Sequence, residues 1–128
     1  MKQEYKNTLQ EMRLHANNNE DNCNKRLEEM VKNIANEINH ATKTTAHDWL
    51  EKNEVYSIEW ITTQDHSYKA CRLLVAGGGP NIWVNLQTYQ VEGYWASDQF
   101  FWGFHDSIGL DDYFREDFEN SIDILKNK

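Results

Sequence analysis

Apolar side chains recur at helical spacing over two stretches near the start of the chain. The stripe over residues 3–16 predicts an amphipathic helix, and the longer stripe over residues 22–40 predicts a second one. Residues 17–22 are polar and break the pattern, so we expect an N-terminal helical hairpin. Residues 45–48 resemble a capping box with Asp48 in place of the usual Glu, and they predict a further short helix.

After residue 53 the apolar positions alternate with polar ones, which predicts β-strands. Turn-forming residues separate four such segments, so we expect a four-stranded antiparallel meander. The predicted strands cover residues 56–60, 68–76, 81–86 and 91–96, the last extended by residues 100–104 after a bend.

Helical spacing returns near the C-terminus, where Leu110, Phe114 and Phe118 begin an apolar stripe that Asp106 or Ser107 can cap. Acidic residues cover much of the rest of this predicted helix. A chain of 128 residues fits one domain, and this order of elements is typical of the α+β class. The predicted parts are a helical part over residues 1–53, an antiparallel sheet over residues 54–104 and an acidic helix over residues 106–126.

Aromatic residues are dense in the second half of the predicted sheet. Strand alternation places Trp83 on the face opposite Ile82 and Val84, and Tyr94 on the face opposite Val91. If helices cover only one face, both rings are exposed, as is typical of protein interfaces. If helices cover both faces, the rings belong to the core. A stacking platform for nucleic-acid bases is a third interpretation, which the charge of the chain disfavours.

The negative charge is concentrated in the C-terminal third. Residues 92–123 contain nine acids and one base, Arg115, so this window carries the whole net charge of −8. Direct binding to nucleic acid or to anionic membranes is disfavoured because both need Lys and Arg. A basic protein, in particular one that binds nucleic acid, is the predicted partner. The alternative is an acidic helix face that keeps the protein soluble.

This charge and the aromatic residues indicate the candidate partner-binding residues. Acids in the first turn of a helix also suit the helix dipole, which is a structural explanation for two of them. A homodimer through the N-terminal helices is a further prediction, because their apolar stripes are narrow. The candidates are Asp111, Asp112, Glu116, Asp117 and Glu119, with Trp83 and Tyr94 as aromatic anchors.

We predict no catalytic residue, metal site or cofactor. His105, Asp106 and Ser107 are adjacent, so they cannot reach one another in the geometry of a catalytic triad. Residues 77–80, Gly-Gly-Gly-Pro, lead into a predicted strand instead of a helix, so they do not form a phosphate loop. The chain has no HExxH or CxxC motif and no apolar leader at its N-terminus. We therefore expect a cytoplasmic protein that is not an enzyme.

The central hairpin has a recognisable sequence. Residues 73–85 read LLVAGGGPNIWVN, and residues 91–95 read VEGYW. Together with the acidic helix that follows, over residues 70–120, this hairpin resembles small accessory proteins of phages and other mobile elements. The resemblance implies a mobile-element context, in which small acidic proteins, anti-CRISPR proteins among them, blunt host defences. It implies no catalytic or binding residues.

Two hypotheses of function follow. In the first, the protein inhibits a nucleic-acid-handling protein in the host cytoplasm, because its acids occupy a basic groove built for phosphates. In the second, it binds or sequesters a small nucleotide-like ligand, with the aromatic cluster and the triglycine turn at residues 77–79 lining a pocket.

Overall fold

A computed structural model describes residues 24–39 and 44–126, with side chains up to residue 122. The described part has the α+β architecture that the sequence predicts. In chain order its elements are α1 (24–39), α2 (Ala46–Lys52), β1 (Ser57–Thr62), β2 (Tyr68–Ala76), β3 (Asn81–Asn85), β4 (Gln90–Trp95), β5 (Asp98–Gly103) and α3 (Leu110–Lys126).

The helices agree with the predicted ones where the structure describes them. Helix α1 is the second helix of the predicted hairpin, whereas the first, over residues 3–16, lies outside the described residues. The hairpin itself therefore stays a prediction. The capping box of α2 is confirmed, because the Thr45 hydroxyl accepts from the Asp48 N–H and the Asp48 carboxylate accepts from the Thr45 N–H.

The sheet has five strands, so the prediction of four is wrong. The predicted fourth strand and its extension are two strands, β4 and β5, which pair antiparallel from Trp95 with Asp98 to Gln90 with Gly103. Only Ala96 and Ser97 connect them. Ala96 has a φ of 53°, in the left-handed region where tight turns usually carry Gly or Asn. The sequence therefore has no turn signal at this point.

The five strands form one antiparallel meander in the order β1-β2-β3-β4-β5. Because every pairing is antiparallel, side chains that face each other in the regular parts of the ladders share one face of the sheet. One such row of side chains crosses all five strands, and its member on β5, Trp102, is half-exposed. The row contains Ile58, Leu73, Val84, Val91 and Trp102.

The three described helices pack on the face that carries this row. Rings of α3, those of Phe114 and Phe118, lie 6.3 Å and 5.3 Å from the ring of Trp60, which is on the same face. Helix α2 contacts α3, and its Trp49 belongs to the same buried core. We call this side of the sheet the covered face and the other side the open face.

Helix α1 lies unusually close to β4, and Gly93 makes this possible. A Cβ atom on Gly93 would lie 2.5 Å from Val31 Cγ2 and 2.8 Å from Leu27 Cδ1. Leu27 and Val31 are both fully buried. Glycine is the residue that allows such close approach of a helix to a strand, since it has no side chain to displace.

The loop between β5 and α3 ties the two long helices together. The Ser107 hydroxyl donates to the carbonyl of Ile38, and the Asn39 side chain accepts from the N–H of His105, both at the C-terminal end of α1. The Asp106 carboxylate accepts from the N–H groups of Leu110 and Asp111 at 2.8 Å and 3.0 Å. As predicted, Asp106 caps α3, and the cap satisfies N–H groups that the helix itself leaves unpaired.

We expect Gly93→Ala to destabilise the protein by about 1–3 kcal/mol, because the added methyl group overpacks the contact with α1. Urea unfolding measures the change. The matched control is Gly79→Ala, where an added Cβ meets no atom within 4 Å. Its free energy of unfolding should change by less than about 0.5 kcal/mol or rise slightly. Equal effects of the two substitutions would contradict the close packing of α1 on β4.

Candidate functional site

The open face carries a polar and aromatic surface and takes no part in the core. In the described part of the chain its ring-bearing residues, Trp83, Tyr94 and Phe101, are absent from the buried core and from the residues packed against it. Strand register places all three on the face opposite Val84 and Val91. The alternation predicted for Trp83 and Tyr94 is therefore confirmed.

A charged cluster crosses four strands of this face. We call its members, Glu59, Arg72, Trp83, Asn85 and Glu92, the Arg72 cluster. Arg72 Nη1 donates to Glu59 Oε2 at 2.6 Å, and Nη2 donates to Glu92 Oε1 at 2.8 Å. The Arg72 guanidinium carbon lies 4.3 Å from the centre of the Trp83 ring. Such a stacked and hydrogen-bonded guanidinium fixes the positions of its neighbours.

Asn85 connects the Arg72 cluster to the turn between β3 and β4. Its Nδ2 donates to Glu92 Oε2 at 3.0 Å, and its Oδ1 accepts from the N–H groups of Gln87 and Thr88. Both carboxylate oxygens of Glu92 are thus hydrogen-bonded, as a nearly buried charge requires. Burial alone would lower the pKa of Arg72, but hydrogen bonds to Glu92 and Glu59 outweigh it and raise this pKa.

Tyr94 and Phe101 continue the open face toward the last strand. Their rings meet edge to face with centroids 5.6 Å apart. Partial burial and then the neighbouring charge of Glu92 raise the pKa of Tyr94, so its phenol stays protonated and able to donate. Phe101 is 43% exposed, which makes it one of the most exposed large apolar side chains in the described part.

The predicted acidic residues of α3 lie on the other side of the molecule and divide into two kinds. Asp111 has a structural role, because it accepts from the Tyr68 hydroxyl at 2.8 Å and pairs with Arg115. The other four are exposed, and none makes an ion pair with another residue that the structure describes. Asp112, Glu116 and Glu119 follow at spacings of four and three residues, so they share one face of the helix. We call these three residues the acidic stripe.

Two surface cavities adjoin the two ends of the acidic stripe. The larger, about 730 Å³, includes Asp112 and two further carboxylates in its lining, those of Asp106 and Asp111. The smaller, about 400 Å³, includes Glu119 and Asp65. The triglycine turn borders neither of these cavities, and their carboxylates disfavour an anionic nucleotide. Both cavities suit cationic groups instead.

Tyr89 lines the larger cavity from the turn between β3 and β4. Its φ of 55° is in the left-handed region, which is uncommon for an aromatic residue. Partial burial, followed by the nearby charges of Asp111 and Asp106, raises the pKa of its hydroxyl. The ring is 43% exposed and packs edge to face on Phe104. Sequence reasoning counted this residue in the aromatic cluster but did not single it out as a site residue, because it lies in a turn and carries no charge.

Six of the seven predicted site residues therefore lie on two separate surfaces, and the seventh, Asp111, has a structural role. The acidic stripe and the neighbouring Asp117 belong to α3 on the covered side, whereas Trp83 and Tyr94 lie on the open face. The sequence interpretation treated them as one site because they are close in the chain. The Arg72 cluster, which it missed, depends on the register that brings Arg72 opposite Glu59 and beside Glu92.

Cys71 is the cysteine that the structure describes, and it is buried. Burial raises the pKa of the Cys71 thiol to about 11, so this fully buried thiol is mostly protonated at neutral pH.

Among the described side chains, no group of three or more His, Cys, Asp or Glu residues is placed to hold a metal ion. No helix in the described part is both long enough and apolar enough to cross a membrane.

Comparisons with protein-family models, curated proteins and solved structures found no match to this chain. The function is therefore argued from the two surfaces alone.

We expect Arg72→Ala to destabilise the protein by roughly 2–4 kcal/mol, because it leaves the nearly buried Glu92 carboxylate without its cation. The control is Glu59→Gln. Its carboxylate is half-exposed, so its loss should cost less than about 1 kcal/mol. Urea unfolding monitored by tryptophan fluorescence measures both. A loss for Arg72→Ala no larger than that of the control would show that the cluster contributes little to the fold.

Proposed function

We propose that this protein is a non-enzymatic binding protein whose acidic stripe contacts the basic surface of a nucleic-acid-handling protein. The observation that carries the proposal is the acidic stripe itself, exposed and without ion pairs to described residues, with an acid-lined cavity at each end. In this proposal the carboxylates occupy positions that nucleic-acid phosphates would take, and the protein inhibits its partner by competition.

The stripe presents its carboxylates in a row along the helix, with a wider axial spacing than the phosphates of one DNA strand. The helical rise places neighbouring acids of the stripe about 4.5–6 Å apart along the axis. Phosphates of one DNA strand follow at about 3.4 Å along the helix axis. A groove lined with Lys and Arg for a phosphate row would therefore meet several carboxylates of α3 at once. Electrostatic attraction between such surfaces also increases the rate of association.

Stability does not explain the acidic stripe. Asp112 is in the first turn and gains from the helix dipole, but Glu116 and Glu119 lie beyond this turn, where the dipole effect has fallen off. Acids four residues apart on one helix repel each other, at a cost of about 0.2–0.5 kcal/mol per pair. Glu116 therefore gains no stability for the helix from the dipole or from its acidic neighbour.

The cavities at the ends of the stripe provide places for basic side chains. Asp106, Asp111 and Asp112 surround the larger cavity, and Tyr89 adds an aromatic ring at its wall. A long Arg or Lys side chain of the partner would have carboxylates for its charged head and the ring for its apolar stem. We extend the proposal to the setting that the hairpin sequence implies: a mobile-element inhibitor that acts in the host cytoplasm.

The test is a triple charge reversal of the acidic stripe, Asp112→Lys, Glu116→Lys and Glu119→Lys. Immobilised wild-type and variant proteins are exposed to a host lysate, and captured proteins are quantified by mass spectrometry. We expect the variant to lose basic nucleic-acid-binding proteins by about tenfold or more, because their attraction to α3 becomes repulsion. The purified partner should release fluorescently labelled DNA when wild-type protein is added, as measured by anisotropy.

The matched control reverses three exposed acids outside α3, Glu29→Lys, Glu37→Lys and Glu54→Lys. Both variants change the net charge from −8 to −2, so any difference between them reflects position rather than total charge. Circular dichroism and urea unfolding confirm that both fold. Equal capture by the two variants, or a captured protein that keeps its DNA when wild-type protein is added, would refute the proposal.

A further inference from the structure

Strand β5 forms one edge of the sheet, and its outer side has no strand partner in the described part of the chain. Its sequence, DQFFWG, contains three aromatic residues and one charge, at its first position. Phe101 is 43% exposed on the open face, and Trp102 is 42% exposed on the covered face. An apolar edge of this kind is a template for pairing with another strand, and proteins usually protect such edges with Lys, Pro or a bulge.

The backbone groups that β5 offers can be identified from its pairing with β4. The Phe104 N–H donates to the Tyr89 carbonyl at 2.9 Å, so this pair is hydrogen-bonded. Bonded and non-bonded pairs alternate along an antiparallel ladder, and Trp102 and Phe100 are therefore also bonded to β4. The N–H and C=O groups of the intervening residues point outward. These residues are Gln99, Phe101 and Gly103.

The outward N–H and C=O groups of Gln99, Phe101 and Gly103 lie symmetrically about Phe101, so two antiparallel copies of β5 can pair through them. In an antiparallel pair of two β5 strands, a two-fold axis at Phe101 places Phe101 opposite Phe101 and Gln99 opposite Gly103. All three outward residues of each strand then form bonded pairs. A register shifted by two residues leaves one residue of each strand unpaired. The central register is therefore the one that satisfies the whole edge.

The same register brings aromatic side chains together on both faces. On the open face the two Phe101 rings become direct neighbours. On the covered face Phe100 of each strand lies opposite Trp102 of the other, next to the stack that these two residues already form, with centroids 5.9 Å apart. Lys32 of α1 lies 4.7 Å from the Trp102 ring and extends this cluster. Aromatic pairs across strands are among the stabilising contacts of antiparallel sheets.

Within the described part of the chain, the opposite edge of the sheet has protecting features that β5 lacks. Strand β1 carries Glu59 near its centre, and its register with β2 is interrupted by an irregularity between Ile61 and Thr62. In contrast, β5 pairs with β4 over six consecutive positions without interruption. Among the described residues nothing protects β5 in this way, which favours a partner strand over a free edge.

We propose that β5 pairs antiparallel with β5 of a second copy of this chain, which joins the two sheets into one of ten strands. The two-fold axis passes midway between the two Phe101 residues and is perpendicular to the sheet, so the helices of both copies lie on the same side. This interface uses a different element from the acidic stripe, because α3 packs on β2 near the other edge, and the two adjoin where Gly103 lines the larger cavity. It also differs from a dimer through the N-terminal helices.

The oligomeric state tests the proposal by sedimentation velocity on the full chain, over roughly 1–300 µM, the range suited to a small interface. We expect the wild-type protein to dimerise. Phe101→Lys places two like charges directly opposite each other and should raise the dimer Kd by about tenfold or more. The control is Tyr113→Lys on α3, also an exposed aromatic residue, which should leave the Kd unchanged.

Disulfide trapping tests the register. With Cys23→Ser as background and the remaining Cys71 fully buried, Phe101→Cys should form a covalent dimer under mild oxidation, because the paired Cα atoms lie about 5.5 Å apart. Gln99→Cys should stay monomeric on a denaturing gel, since its partner is Gly103. A wild-type protein that is monomeric throughout, a dimer that Phe101→Lys leaves intact, or equal cross-linking at both positions would overturn the proposal.

Discussion

The contact between α1 and β4 at Gly93 determines how the rest of the molecule is arranged. Leu27 and Val31 occupy the space that any other residue at position 93 would fill, so the helix lies directly against the sheet. This contact places α1 on the face that carries Leu73, Val84 and Val91 and completes a core with α2 and α3. No described helix covers the opposite face, which carries polar and aromatic side chains. A bulky residue on that face therefore need not fit a close-packed interior.

The two faces of the sheet consequently have different roles. On the covered side, the packing of Phe114 and Phe118 against Trp60 fixes α3 and turns its acids outward. On the open side, the Arg72 cluster connects four strands and holds Trp83 and Glu92 in defined positions. The edge strand β5 is distant from α3 in the strand order. Binding through the acidic stripe and association through β5 therefore use different elements, and these adjoin where Gly103 lines the larger cavity.

The apolar pattern predicts most elements because burial on one side leaves a periodic record in the sequence. The capping box at Thr45, the strand over residues 68–76 and the cap at Asp106 are each encoded by a few neighbouring residues, and the structure confirms them. Strand alternation likewise places Trp83 and Tyr94 on one face. The separation of β4 from β5 could not be predicted, because Ala96 adopts a turn conformation that its side chain does not favour.

The sequence by itself thus determined the α+β class, the acidic character of α3 and which side chains of a strand share one face. These properties depend on local periodicity and on charge. Only the tertiary structure decided which face the described helices cover, because this depends on the contact of Gly93 with Leu27 and Val31, far away in the chain. It also separated the acidic stripe from Trp83 and Tyr94, and it assembled Arg72 with Glu59 and Glu92, since proximity across a sheet is set by strand order and register.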